Sequence, residues 1–215
     1  QTLFQMLSWG DTMSFTPNKS GEITLDMPAM DIPADENLVL RAARKLRRSS
    51  QGVHIQVDKQ IPSGGGLGGG SSNAATTLLV LNHLWDLEYS NEDLVNLGTS
   101  LGADVPVFVA GRSAWAEGIG DILTPVELPE CWYLVVVPNC QVSTAEIFSN
   151  EQLTRDASAI KMASFFEGDS RNDCQPLVRS LYPEVDKALK WLDKFGEAKL
   201  TGTGACIFAS FEHKT

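Results

Sequence analysis

The 215 residues contain no apolar run approaching the ~20 that a membrane-spanning helix requires, and no signal-peptide pattern opens them. No membrane partner is expected, and cytoplasmic residence is the default that follows. Cysteine is scarce. Cys131, Cys140, Cys174 and Cys206 lie scattered without CxxC spacing, which argues against a structural zinc site and a disulfide framework and fits idle thiols in a reducing compartment. His54, His83 and His213 show no HxxxH or other paired spacing, so structural or surface roles are assigned to all three. Positive charge is in deficit as well: 17 Lys and Arg stand against 27 Asp and Glu, a net charge of −10. Phosphate backbones reward a basic surface, so nucleic acid is not expected as a partner. The densest basic stretch, RAARKLRR at 41–48, has helical spacing and reads as a solvated helix face.

What is present is ordinary for a folded protein, 43% hydrophobic and 20% charged, with enough chain for one large domain or two modest ones. Residues 3–15 read as two strands broken at Gly10-Asp11, and Glu22 to Leu25 as a further short strand. Asp35 is the expected cap of a helix whose Leu38, Val39, Ala42, Ala43 and Leu46 share one face. Val53 to Asp58 alternates as a strand buried on one side. Asn73 to Trp85 reads as a long buried helix, and Ser90 with Asp93 as a capping box for the next. Val105 to Val109, Ser113 to Glu117 and Trp132 to Val137 are strand candidates. Ser143 to Phe148 and Pro183 to Phe195 are helices, and Lys199 onward closes as strand, turn, strand. Single-sided strands mixed with helices, without regular βαβ alternation, predict an α+β chain in two lobes.

Between the alternating strand and the long helix lies IPSGGGLGGGSSNAAT at 61–76, with six glycines. Each glycine costs conformational freedom on folding, so the run calls for a reason. Backbone amides at the start of a helix lack intrahelical partners and carry the positive end of the dipole. A glycine loop lets such amides converge on an anion with no Cβ in the way. Ser71 and Ser72 add hydroxyl donors and are candidate caps. A tight turn with close packing is the plainer alternative, but two or three glycines serve for that. The Walker pattern GxxxxGK[ST] is not met, because Ser71 follows Gly70 and the loop holds no lysine. Gly64, Gly66 and Gly69 satisfy GxGxxG almost by accident, and the preceding strand alternates where a dinucleotide-binding strand is apolar throughout.

Pro62 with Gly66-Leu67-Gly68-Gly69-Gly70-Ser71-Ser72-Asn73-Ala74-Ala75 resembles the second motif of the GHMP kinases. LGADVPVFVAGRSAWAEGIGD, PNCQVSTAEIF and LTGTGACIF resemble the same family, in the same order. Together they point to its branch acting on a cytidine diphosphate-linked methylerythritol in the non-mevalonate isoprenoid pathway. The resemblance implies a two-lobed fold. A ribosomal protein S5 domain 2-like N-terminal lobe would span 1–126, and a ferredoxin-like α/β C-terminal lobe 127–215. It implies ATP and Mg2+ as cofactors, phosphorylation of the 2-hydroxyl of the methylerythritol, and a monomer or weak dimer.

Taken alone, Asp104 in Gly102-Ala103-Asp104-Val105-Pro106 is a turn residue; by resemblance it is the base that takes the hydroxyl proton. Gly64, Gly65, Gly66, Leu67, Gly68, Gly69, Gly70, Ser71, Ser72 and Asn73 are then the phosphate loop. Asn37, Leu38 and the backbone around Lys59 form the adenine pocket. Thr144 and Phe148 match positions that hold the cytidine diphosphate. Phe4 matches another substrate-pocket aromatic, and Gly202, Thr203 and Gly204 the third motif. No protein ligand for magnesium is assigned, although Ser71 or Ser72 offers an oxygen. The family's lysine-bearing P-A-K-x-N motif and its G-Y-H segment are not among these residues, and the expectation is a partial copy. Two alternatives follow: a nucleotide-binding fragment without catalysis, or a relative acting on another small alcohol such as homoserine or mevalonate.

Overall fold

The alternation of Val53, Ile55 and Val57 organises the first half of the chain. In the computed structural model, which describes residues 1–28, 32–48, 50–166 and 170–213, these three side chains are buried on the central strand β4 (Gly52–Asp58). β2 (Thr12–Asn18) lies antiparallel to it, with Thr12 opposite Asp58 and Asn18 opposite Gly52. β3 (Ile23–Asp26) lies parallel on its other side, reached through the crossover helix α1 (Leu38–Leu46). A second sheet, in order β1-β5-β6, joins β1 (Thr2–Phe4), β5 (Ala114–Glu117) and β6 (Ile122–Pro125), all antiparallel. The strands on either side of Gly10-Asp11 are therefore not a hairpin; they belong to different sheets.

Helices α1, α2 (Gly69–Leu84), α3 (Asn91–Thr99) and α4 (Val105–Ala110) complete this unit. Its core joins Leu46 of α1, Ile55 of β4, Leu78 and Leu81 of α2, Leu94 of α3 and Val105 of α4. The unit comprises Gln1–Ile61 and Gly68–Leu128; Pro62–Leu67 and Pro129–Thr215 form the other. In that second unit β7 (Trp132–Val136), β9 (Ile207–Phe211) and β8 (Lys199–Leu200) form an antiparallel sheet with β9 central. Its helices are α5 (Thr144–Ser149), α6 (Met162–Ser164), α7 (Gln175–Leu181) and α8 (Pro183–Leu192). Val178, Val185, Leu189, Leu192 and Ile207 fill the core.

Several local expectations yield to packing or chemistry. Val105 to Val109, β-branched and strand-like in sequence, is helix α4: Pro106 occupies its first turn, Gly111 ends it in the left-handed conformation, and α2 and α3 bury it. The cap of α1 is Asn37, not Asp35; its Oδ1 accepts from the amides of Val39 and Leu40 at 3.0 and 3.4 Å. α2 begins at Gly69, four residues before Asn73, so part of the glycine run is itself helical. β6 and α7 had no sequence signal strong enough to announce them. The Ser90–Asp93 capping box forms as the pattern predicts, with Ser90 Oγ accepting from the Asp93 amide at 3.1 Å.

Candidate active site

The first unit holds the helical end of the glycine run. Gly68 caps α2 at φ 68°, ψ 13°, and no side chain serves as cap. The expected capping by Ser71 or Ser72 is therefore not found, because both lie inside the first turn. Ser72 is where the α-helical ladder starts, donating to the Gly68 carbonyl at 2.8 Å. The amides of Gly69, Gly70 and Ser71 precede it at the positive end of a 16-residue helix. One side of this turn is tightly packed. A Cβ on Gly68 would stand 2.7 Å from Phe108 Cζ, and one on Gly69 2.8 Å from Ile61 Cγ2 and 3.1 Å from Lys59 Nζ. The other side is open: a Cβ on Gly70 would find nothing closer than Leu38 Cδ1 at 3.9 Å. An anion can approach there, and Leu38 stands beside the path.

Asn37, next to Leu38, is 5% exposed. Because its Oδ1 is taken by the α1 cap, its Nδ2 is left as the outward donor. The residue lines a pocket of about 320 Å³ with Leu25, Met27, Ile32 and Leu40. The Lys59 side chain is largely withdrawn from solvent. Its ammonium meets Asp11 Oδ2 at 2.6 Å, with side-chain exposures of 14% and 1%. Asn73 Nδ2 donates to the same oxygen at 2.9 Å, while the amides of Gln60 and Ile61 donate to Asp11 Oδ1 at 2.8 Å each. Burial alone would push the Asp11 carboxyl up; Lys59, the two amides and Asn73 together outweigh it and hold the carboxyl below its ordinary range. Asp11 is the residue that the sequence reading missed. Beside Gly10 it reads as a turn, and its partners lie 48 to 62 positions away.

Asp104 immediately precedes α4, with right-handed helical φ and ψ and no capping bond from its side chain. Its carboxylate makes no hydrogen bond or ion pair among the described residues, and burial pushes its pKa up. Phe108 is one helical turn further along the same face, and its ring is the one that meets Gly68. A half-buried carboxylate free of partners, one turn before the phenylalanine that packs on Gly68, is poised to accept a proton. Phe4 is half-buried on β1, opposite Ala114.

In the second unit the earlier half of the run docks on the third motif. Thr201 Oγ1 donates to the Gly66 carbonyl at 2.8 Å, and the Cys206 amide to the Gly65 carbonyl at 3.1 Å. A Cβ on Gly65 would strike Cys206 Sγ at 2.5 Å. Gly64 and Leu67 flank these contacts, exposed and half-buried respectively. Gly202 and Gly204 adopt φ of 54° and 89°, and Asn172 Nδ2 holds the turn by donating to the carbonyls of Leu200 and Gly202 at 2.9 and 2.8 Å. Thr203, 7% exposed, shares a 2.8 Å hydroxyl contact with Thr144 at the start of α5. Phe148, near the end of α5, is 57% exposed, far from the core role its apolar nature alone suggests. Cys206 is fully buried, and burial, with Cys140 nearby, pushes its thiol up to about 11; it packs rather than reacts.

Among the described residues no three His, Cys, Asp or Glu side chains come together as a metal cage, and no helix is long and apolar enough to cross a membrane.

Comparison with known proteins places this geometry. The GHMP kinases N terminal domain model matches residues 37–112, and the GHMP kinases C terminal model residues 151–215. The 4-diphosphocytidyl-2-C-methyl-D-erythritol kinase of Pseudomonas aeruginosa strain LESB58 is 57% identical over 217 residues, covering all of this chain and 77% of that protein. The enzyme of the same name from Hahella chejuensis is 52% identical over 228 residues, again covering all of this chain and 77% of the relative. A crystal structure of 4-(cytidine 5'-diphospho)-2C-methyl-D-erythritol kinase superposes with a TM-score of 0.77 at 31% identity, covering 93% of this chain and 76% of that one. Homoserine kinase from Cytophaga hutchinsonii reaches a TM-score of 0.64 at 19% identity, over 99% of this chain and 78% of its own, a likeness of fold alone.

Proposed function

This chain belongs to the GHMP kinase family, and from that premise we propose that it transfers the γ-phosphoryl group of ATP to the 2-hydroxyl of 4-diphosphocytidyl-2-C-methyl-D-erythritol, a step of isoprenoid precursor biosynthesis. The observation that carries the reading is Asp104: a half-buried, unpartnered carboxylate with a raised pKa, at the start of the helix whose Phe108 packs against Gly68, the cap of α2.

Phosphoryl transfer asks a protein mainly for positioning and for fixed charge where negative charge develops. The amides of Gly69, Gly70 and Ser71, held rigid by the packing of Gly68 and Gly69, take the ATP phosphates on their open side. Asn37 Nδ2 donates to a ring nitrogen of adenine, with Leu38 against the base. As the 2-hydroxyl oxygen bonds to the γ-phosphorus, the bond from that phosphorus to the β–γ bridging oxygen breaks. ADP leaves, and the hydroxyl proton passes to Asp104. Burial makes the Asp104 carboxylate a stronger base than a solvated aspartate. Magnesium, when bound, neutralises charge on the phosphate oxygens. Ser71 or Ser72, in the first turn of α2, would offer the protein's oxygen to it.

The Thr144–Thr203 hydroxyl pair is a ready donor and acceptor for the cytidine diphosphate, and exposed Phe148 offers a face for the cytosine. A coupled ADP-release assay with a panel of acceptor alcohols tests the reading. Turnover with the cytidyl compound and none with homoserine or mevalonate is expected. The reverse pattern would transfer the chain to another branch of the family, and nucleotide binding without turnover on any alcohol would make it a binding domain.

A further inference from the structure

Asp11 has no part in the chemistry above, yet it is one of the most thoroughly bonded side chains in the first unit. A carboxylate 1% exposed, ion-paired at 2.6 Å and accepting three further hydrogen bonds of 2.8 to 2.9 Å, is costly to bury unless every partner is in place. Those partners are not scattered. Gln60 and Ile61 are where the chain leaves β4 for the glycine run. Lys59 places its ammonium 3.1 Å from the spot a Cβ on Gly69 would occupy, and Asn73, 4% exposed, lies in the second turn of α2. One side chain from the start of β2 thus ties the entry of the glycine run to the helix at its exit.

We propose that Asp11 is a positioning residue for the phosphate cradle. Its two oxygens fix where α2 begins relative to the end of β4, and so where the amides of Gly69, Gly70 and Ser71 point. Lys59 and Asn73 act through it and are members of the same brace. The two oxygens divide the work: Oδ1 holds the strand exit and Oδ2 the lysine and the helix. An asparagine is nearly the same shape, but it replaces one acceptor with an NH2 group. With Oδ1 kept on the two amides, that NH2 faces Lys59 Nζ and Asn73 Nδ2, donor against donor, and the tie to α2 is lost.

This inference rests on the kinase reading, and its test separates the two. Affinity for a non-hydrolysable ATP analogue is measured by calorimetry, with thermal unfolding alongside, on the full chain and on Asp11→Asn, Lys59→Met and the double variant. Asp11→Asn is expected to unfold at lower temperature and to bind the analogue at least tenfold more weakly, while the KM for the cytidyl alcohol changes less than twofold. The double variant no longer buries an unpaired ammonium and should recover most of the thermal stability. It should not recover nucleotide affinity, because the tie to Asn73 stays broken. Affinity that returned together with stability would make Asp11 a folding residue and overturn the proposal, as would unchanged affinity in Asp11→Asn. Should the single variant fail to fold, the double variant still decides. If the parent chain binds the analogue equally well after Gly68→Val, the cradle reading itself is wrong, and the brace falls with it.

Discussion

Replacing Gly68 by alanine tests the cradle with one methyl group. At φ 68° an L-residue is disfavoured, by about 1–2 kcal/mol. The added Cβ would stand 2.7 and 2.8 Å from Phe108 Cζ and Cε2, closer than carbon atoms pack, so ring or loop must move by most of an ångström. Overpacking of this kind costs roughly 1–3 kcal/mol. The sum, about 2–5 kcal/mol, corresponds to a melting temperature lowered by roughly 4–20 °C for a chain of this size. Because the movement displaces the amides that follow, nucleotide affinity should fall by about tenfold or more, the effect of one misplaced donor. Phe108→Leu opens space for the methyl group. In a double-mutant cycle read by thermal unfolding and by nucleotide titration, the pair should show a favourable coupling of at least about 1 kcal/mol in stability. The conformational part of the cost stays. A Gly68→Ala protein with parental melting temperature and affinity, or a cycle with no coupling, would refute the packing argument.

Asp104→Asn should lower kcat by about a hundredfold or more with nucleotide affinity within about threefold, as seen in single-turnover and binding measurements. Because burial raises the folded pKa of Asp104, its ionised form costs stability at pH above that value, and the cost vanishes below the unfolded value. The asparagine variant should therefore be more stable than the parent at neutral pH, with the difference shrinking as pH falls through the folded pKa. The kcat of the parent should drop over the same window. Phe148→Ala, at a side chain 57% exposed, should leave the melting temperature within the equivalent of about 0.5 kcal/mol and raise the KM for the cytidyl substrate several-fold; a large loss of stability would mark it as a packing residue. Ser90→Ala removes one arm of the capping box and should cost about 1 kcal/mol in chemical denaturation, with catalysis unchanged.

The elements that were legible in the sequence are those whose signal is local. The period-two pattern of Val53, Ile55 and Val57 gave β4 because alternate side chains of a strand face opposite ways. Ser90 and Asp93 gave a helix start because the capping box closes within four residues. The glycine run declared itself by composition, and the neighbouring motifs supplied the family. Against this, the strand-like Val105 to Val109 folds as a helix because burial against α2 and α3 overrules propensity. The exposure of Phe148 was equally invisible, since no local pattern says which side of a short helix will lack a neighbour.

By itself, then, the sequence determined the kind of chemistry: an acidic chain with a glycine-headed helix and a candidate base in a recognisable order of motifs. Only the tertiary structure decided that Asn37 rather than Asp35 caps α1, that Lys59 is half-buried in an ion pair, and that a carboxylate at position 11 holds residues 59 to 61 and 73 together. The reason is distance along the chain. A hydrogen bond across 48 or 62 residues leaves no period, spacing or composition for a sequence to display, and it exists only once strand and helix have been brought side by side.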